Sequence, residues 1–454
     1  MHMKLLYIIP YVPFPLDSGG NQAFFTLADH VRNQYDLSVL LYAHHKKEME
    51  YIEELKKLWP NVTFHIFDDV ARHKEREQDY IDFSTYEGMT WKERKSCQFF
   101  QYLRNSMNRK IKRHINKANY RKTISVTDAT AGCGTDLVKD NSTLFKHTKD
   151  LTLEFCDFVR ETADKDFDVI QVEFYEYLPI VYLLPPKAKK IFVHHEIRFV
   201  RNENEIQLFQ KPLTTDRLRL EEEKALELGA LSAYDAIITL TDIDKKILSK
   251  YIPEEKIYSS PAITHVTPQE LKSFKPASEL VFIGSGSHFP NADGMVWFCK
   301  EVVPALLRKG IQLPIIHVTG KWEDGMMNIM QAACPTIHFA GYIEDLPSFL
   351  NGKISIVPIR IGSGMRMKIL DSVFAAAPLV TTAKGCEGLP FVNGENCLIA
   401  DTAEEFSEAV TRVLSNQHLQ EQIALNAQST KTGMLNEETL FQKRIGVYHA
   451  LLGC

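Results

Sequence analysis

Short apolar, β-branched runs alternate along the chain with longer stretches in which apolar positions recur every three to four residues. That alternation of strand and helix periods is the signature of parallel sheets flanked by helices. The predicted strands form two series. The first holds Lys4–Pro10, Asp36–Tyr42, Val62–Ile66, Val169–Glu173, Lys190–Val193 and Ala236–Leu240. The second holds Leu280–Gly284, Ile315–Gly320, Ile337–Phe339, Ile354–Val357, Leu379–Thr382 and Cys397–Ala400. Between them lies 259–278, polar and carrying Pro261, Pro268 and Pro276, where a hinge is expected. The reading is α/β, with Rossmann-like domains at 1–258 and 279–435. The last segment, 436–454, is amphipathic (Leu440, Ile445, Val447, Tyr448, Leu451) and suits a helix packing back across the first domain.

The rhythm breaks between about 68 and 165, a charged, aromatic and helix-rich stretch that reads as an insertion at one edge of the first domain. Within it, 104–122 holds eight Lys or Arg residues and no acid, beside a stripe of Leu103, Met107, Ile111, Ile115 and Ala118. A basic helix with an apolar face is what an anionic membrane attracts. The same stripe also suits packing on the domain, and both readings stay open.

At 454 residues the chain exceeds the size at which one core stops growing. Hydrophobic residues at 44% and charged residues at 24% argue against disorder. A formal net charge of −5 gives no sign of a nucleic-acid binder. The eight cysteines (97, 133, 156, 299, 334, 386, 397 and 454) form no C-x-x-C pair, which fits reduced cytoplasmic thiols better than disulfides or zinc. The N-terminus reads as a strand, because Pro10, Pro13 and Pro15 interrupt its apolar run. No stretch approaches the roughly 20 apolar residues that a membrane span needs. The expected location is therefore cytoplasmic, with peripheral contact at the inner membrane face if 104–122 binds it.

The chemistry concentrates after the strand ending at Val357. A Gly362-Ser363-Gly364 turn leads into a helix predicted from about Met365 to Ala377, with Arg366 and Lys368 in its first turn. In open parallel sheets, ligands sit at strand carboxyl ends, where helix N-termini offer free N–H groups. Cations in a first turn oppose the helix dipole, and an anion such as a diphosphate resolves that conflict. Neither Gly284-Ser285-Gly286 nor Gly362-Ser363-Gly364 continues to the third glycine of a dinucleotide fingerprint, and there is no P-loop. Asp166/Asp168 and Asp242/Asp244 both match D-x-D, a spacing that can hold a metal. The first reads as a turn and the second as a helix cap with Thr241, so no metal site is assigned.

At these residues the chain resembles the GT-B-fold glycosyltransferases, specifically family 4. The resemblance rests on G-S-G-x-R-x-K-I-L-D at 362–371, on Pro13, Pro15, Gly19 and Gly20, and on Phe282-Ile-Gly-Ser followed by Pro290-Asn-Ala-Asp. Gly341-Tyr342-Ile-Glu-Asp-Leu and Gly385-Cys-Glu387-Gly-Leu389 complete it. It covers nearly all of the second half and the first strand-turn. It implies a nucleotide-diphosphate-sugar donor held by Gly19, Gly20, Gly284, Ser285, Tyr342, Gly362, Ser363, Gly364, Met365, Asp371 and Glu387. It further implies that Arg366 and Lys368 stabilise the leaving diphosphate without a metal or other cofactor, and that His195 touches the transferred sugar or the acceptor. Where the family has two glutamates eight positions apart, this chain has Ser363 and Asp371. Asp371 keeps the ribose role, and the sugar-side contact passes to the backbone N–H groups of Gly364 and Met365. The implied partner is a glycan, lipid-linked or other hydroxyl acceptor, with retention of anomeric configuration. A nucleotide-sugar epimerase of the same fold and a non-catalytic sugar-binding protein remain as alternatives.

Overall fold

The computed structural model describes residues 3–16, 19–69, 71, 151–208, 213–263, 272–434 and 436–453. The basic segment 104–122 lies outside them.

The first sheet is wholly parallel, in the order β3-β2-β1-β4-β5-β6-β7. Its strands are β1 (Lys4–Ile8), β2 (Asp36–Ala43), β3 (Thr63–Asp68), β4 (Val169–Glu173), β5 (Lys189–His194), β6 (Ala236–Thr239) and β7 (Ile257–Ser259). Central strands covered on both faces read as unbroken apolar runs, and Leu5 through Ile8 are fully buried. The last strand, β7, is one the sequence pattern did not announce. Only Ile257 of its three residues is fully buried, so it carries little hydrophobic signal, and it takes Ser259 out of the expected hinge. Helix α1 (Gly19–Val31) begins at the glycines themselves. A helix at Leu153–Ala163 packs Phe155 and Val159 into the core on one face of this sheet, so the end of the supposed insertion belongs to the sheet's own helical layer.

The second sheet is also parallel, ordered β10-β9-β8-β11-β12-β13. It comprises β8 (Glu279–Phe282), β9 (Ile316–Thr319), β10 (Ile337–Gly341), β11 (Lys353–Val357), β12 (Leu379–Thr381) and β13 (Leu398–Ile399). In each sheet the strand order reverses direction once. The reversal falls between β1 and β4 in the first sheet and between β8 and β11 in the second. Such switch points open a crevice at the strands' carboxyl ends.

The last helix, Glu437–Leu452, returns to the first sheet, burying Leu440, Phe441, Ile445, Val447 and Tyr448. Arg444 donates to the hydroxyl and carbonyl of Ser260, each at 3.0 Å, and Tyr448 bonds Tyr7 of β1 at 2.7 Å. His30 of α1 lies 3.1 Å from Glu437. No described helix is long and apolar enough to cross a membrane.

Candidate functional site

The two crevices face one cavity of about 730 Å³, within the range of small-molecule sites. The first sheet contributes the β1 turn and α1 start (Tyr11, Gly19, Gly20) and the ends of β4 and β5 (Phe174, His195, Glu196). From the second come Gly284, Ser285, His288, Asn291 and the segment running from Ser363 to Asp371.

On the second-sheet wall, the chain leaves β11 through Gly362 (φ +120°) and Gly364 (φ +77°), and helix α2 spans Met367–Phe374. The helix starts two residues later than the sequence suggests, because Arg366 stays extended and folds its guanidinium back onto the carbonyls of Ser363 and Gly364. It stops at Phe374, short of the expected Ala377, as Ala376 turns left-handed (φ 52°). Arg366 therefore caps the helix, and Lys368 lies inside its first turn. Arg366 is half-buried at the cavity wall, but its Nη2 is buried with no hydrogen-bond partner. Burial lowers its pKa, opposed by the carboxylates of Glu196, Glu387 and Asp244. The Lys368 ammonium bonds Asn291 and sits 4.6 Å from the Phe282 ring centroid. Burial, then the charge of Arg366, push Lys368 down to about 7. Burial pushes Asp371, also on the cavity wall, up to about 7. Gly284 lies against Asn291 and Lys368.

The first-sheet wall uses strand alternation. His194 and His195 point to opposite sides, as neighbours at a strand end must. His194 is buried and bonded to Glu227 at 2.8 Å. His195 lines the cavity, bonds Glu173 at 2.5 Å and stacks on Phe174 with centroids 3.9 Å apart. Phe174 itself holds φ 68°, an unusual conformation for a bulky residue. Glu196 follows. Burial would raise its carboxyl, but Arg201, Arg198, His288 and Arg366 hold it at about 2. Burial takes His288 down to about 4, so it faces the cavity neutral at pH 7.

Several expected positions are placed differently. Ser363 is buried, its hydroxyl accepting from the Ile197 N–H at 2.6 Å. The Gly364 N–H donates to Asp244 at 3.1 Å, so it is already spent and cannot serve the sugar as expected. Gly362 and Gly364 stand behind the cavity wall, Gly362 against Arg366 and Glu196, Gly364 against the His195 carbonyl. Met365 does line the cavity. Tyr342 is 70% exposed and outside it, because it follows β10, the edge strand farthest from the switch point on that side. Glu387 pairs with Lys384 at 2.6 Å and reaches Arg366 only through its field. Glu173, Glu196 and His288 carry no motif of their own, and Asp244 stood out only as half of a D-x-D match read as a helix cap. Their only signal is position, directly after a strand or beside one.

The D-x-D matches have other partners. Asp168 accepts from the Lys4 N–H at 2.8 Å, and Asp166 pairs with the Lys4 ammonium. Thr241 caps the helix at Asp242–Leu248 by accepting from the Asp244 N–H. Among the described residues no three His, Cys, Asp or Glu side chains gather as a metal site requires.

Two parallel sheets of Rossmann type opening on one cleft, with a final helix that returns to the first, constitute the GT-B fold. Residues 277–416 match the family model described as Glycosyl transferases group 1. In sequence the chain is 24% identical over 157 residues to a 44.6 kDa protein in the cps region of Klebsiella pneumoniae. That alignment covers 33% of this chain and 40% of the Klebsiella protein. Among solved structures, TarM of S. aureus in complex with fondaparinux, alpha-GlcNAc-glycerol and UDP is similar at TM-score 0.61 and 10% identity, covering 98% of this chain and 100% of that one. Anabaena HepE in complex with UDP gives 0.60 at 10% identity, covering 99% and 100%. Sucrose-phosphate synthase from Thermosynechococcus elongatus gives 0.62 at 12% identity, covering 99% of each chain.

Proposed function

We propose that this protein transfers a sugar from a nucleotide-diphosphate sugar to a hydroxyl acceptor, with the donor diphosphate on Arg366, Lys368 and the start of α2. The observation that carries the reading is the placement of Arg366 and Lys368 together on the cavity wall, at the start of α2. The Arg366 Nη2 is buried without a partner behind that wall, and a turn of the guanidinium would bring this donor to a diphosphate oxygen. The family match to this segment supports the same assignment, as do similar folds solved with UDP.

Departure of a nucleoside diphosphate leaves positive charge on the sugar and negative charge on the leaving oxygens. Fixed cations and helix N–H groups lower that barrier without reorganising at the moment of reaction. His195 and Glu196 on the opposite wall would face the sugar and acceptor. We assign transfer with retention and without a metal, the leaving phosphate taking the acceptor proton. The acceptor is read as a glycan or lipid-linked hydroxyl compound, with 104–122 as a membrane contact.

A donor panel tests the reading. One nucleoside diphosphate and its sugar should raise the melting temperature, since a ligand at 100 times its Kd stabilises by about 2.7 kcal/mol. The matching sugar should then be transferred, with activity surviving EDTA and the product anomer read by NMR. Epimerised donor without an acceptor would mark an isomerase. No response to any nucleoside diphosphate would remove the donor site. Co-sedimentation with phosphatidylglycerol vesicles at low salt tests the membrane contact.

A further inference from the structure

We propose that Glu173 is a positioning residue for His195, and that the last helix sets it through Tyr448 and Gln171. The inference rests on the cleft assignment above, but its geometry stands apart from it. His195 Nε2 lies 2.5 Å from Glu173 Oε2. The other Glu173 oxygen accepts from Gln171 Nε2, also at 2.5 Å, and Gln171 Oε1 accepts from the Tyr448 hydroxyl at 2.6 Å. The Tyr7 hydroxyl is 2.7 Å from that of Tyr448. Tyr7, Gln171, Glu173 and Tyr448 are all buried at 1% exposure or less.

The row admits one direction. An ionised carboxylate only accepts, so both of its neighbours must donate. The Gln171 amide nitrogen therefore faces Glu173 and its oxygen faces Tyr448. Tyr448 must then donate to Gln171, and Tyr7 to Tyr448. At the other end His195 must donate from Nε2, and in the neutral imidazole that leaves Nδ1 as the ring atom able to accept. Phe174, stacked nearly parallel at 8°, fixes the ring plane. Glu173 thus selects the His195 tautomer, and Tyr448 of the last helix completes the row by occupying the Gln171 oxygen and so holding the carboxylate's other partner in place.

This ordering is stricter than packing requires. Leucine or methionine could fill the same space, whereas buried polar groups cost free energy unless every member is satisfied. Arg444, the cation beside the row on the last helix, is held by Ser260 and does not join it.

The Glu173→Gln variant keeps the shape but offers one acceptor to two donors. Either His195 moves its proton to Nδ1, or Gln171 inverts and turns its NH2 toward the Tyr448 hydroxyl, which must then accept and pass its own proton to Tyr7. Nitrogen-15 imidazole spectra, with the His195 signal identified by its loss in His195→Asn, should show Nε2–H in the parent and a shifted tautomer in Glu173→Gln. For transfer, Glu173→Gln should lower kcat about 10- to 100-fold with donor KM unchanged, the scale of a misplaced reacting group. That loss should disappear in a His195→Asn background. Tyr448→Phe should lower kcat less and in the same pattern, with nucleotide binding intact. An unchanged tautomer together with parental kcat in Glu173→Gln would overturn the proposal, and parental kcat in Tyr448→Phe would detach the last helix from it. A loss of kcat that persists in the His195→Asn background would mark a merely structural carboxylate and also overturn it. Should no donor be turned over at all, the spectra still decide the relay, separating its failure from that of the transferase reading.

Discussion

Asp244 Oδ2 accepts a hydrogen bond from the Gly364 N–H at 3.1 Å, joining residues 120 positions apart and tying the second sheet's glycine turn to the first sheet. The same oxygen accepts from the Thr241 hydroxyl at 2.6 Å. Burial raises the Asp244 carboxyl, while the Thr241 bond pulls it back. Together with the bond from Ile197 to Ser363, this makes a clasp between the two sheets. Asp244→Ala leaves a buried N–H without a partner, which costs about 1–3 kcal/mol. A lower urea midpoint is expected, with a smaller drop for Asp244→Asn, which retains an accepting oxygen. An unchanged midpoint in Asp244→Ala would show that the clasp contributes nothing.

Gly19 makes a second closure contact. A Cβ added there would lie 2.5 Å from the Met367 Cβ, far inside contact distance, so α1 and α2 meet only because position 19 has no side chain. Gly19→Ala should fold normally and hold the two sheets apart. The expected result is lower kcat/KM for the donor, with part of the loss recovered in Gly19→Ala/Met367→Ala. Full activity in the single variant would mean that closure tolerates the added methyl group.

Much of this architecture was legible because buried parallel strands write themselves as apolar runs. Leu5–Ile8 and Ile354–Val357 each show this pattern. The terminal helix was legible from its stripe of Leu440, Ile445 and Tyr448. Strand β7 was not, since three residues with one fully buried side chain carry no period. The Gly-Ser-Gly turn could be read from its glycines and cations, but its bonding could not. Ser363 and Gly364 looked free to meet a ligand, and long-range contacts with Ile197 and Asp244 use them instead. Glu173 offers the same lesson, since inside a strand it resembles any polar residue until His195 and Gln171 are brought to it.

Arg366→Ala removes the guanidinium that the cavity leaves incompletely paired. A charge-assisted contact is worth about 1.5–3 kcal/mol, so nucleoside diphosphate affinity should fall about 10- to 100-fold. Affinity for the bare nucleoside should hardly change, because the lost contact is to phosphate. Calorimetry with both ligands checks this. Equal losses for the two would place Arg366 elsewhere than at the diphosphate.

Lys368 makes diphosphate binding depend on pH in a window that its own titration defines. Burial lowers it from 10.5 to about 7, so the empty protein favours the neutral amine. Its contribution to stability is therefore fully present above pH 10.5 and is lost as pH falls toward 7. Asp371 runs the other way. Raised from 3.8 to about 7, its contribution is present below pH 3.8 and lost as pH rises toward 7. A bound diphosphate favours the charged ammonium and lifts the Lys368 pKa above 7. Between pH 7 and that higher value, binding must then take up a proton. Asp371, raised to about 7, is largely ionised in the empty protein by pH 8, and the Lys368→Met comparison separates any uptake it adds. Affinity should hold steady just below pH 7 and weaken above it, by up to about tenfold per unit. Calorimetry in buffers of different ionisation enthalpy at pH 8 should register the uptake, and Lys368→Met should abolish both the uptake and the slope. Binding at pH 8 without proton exchange would show that the ammonium does not face the diphosphate.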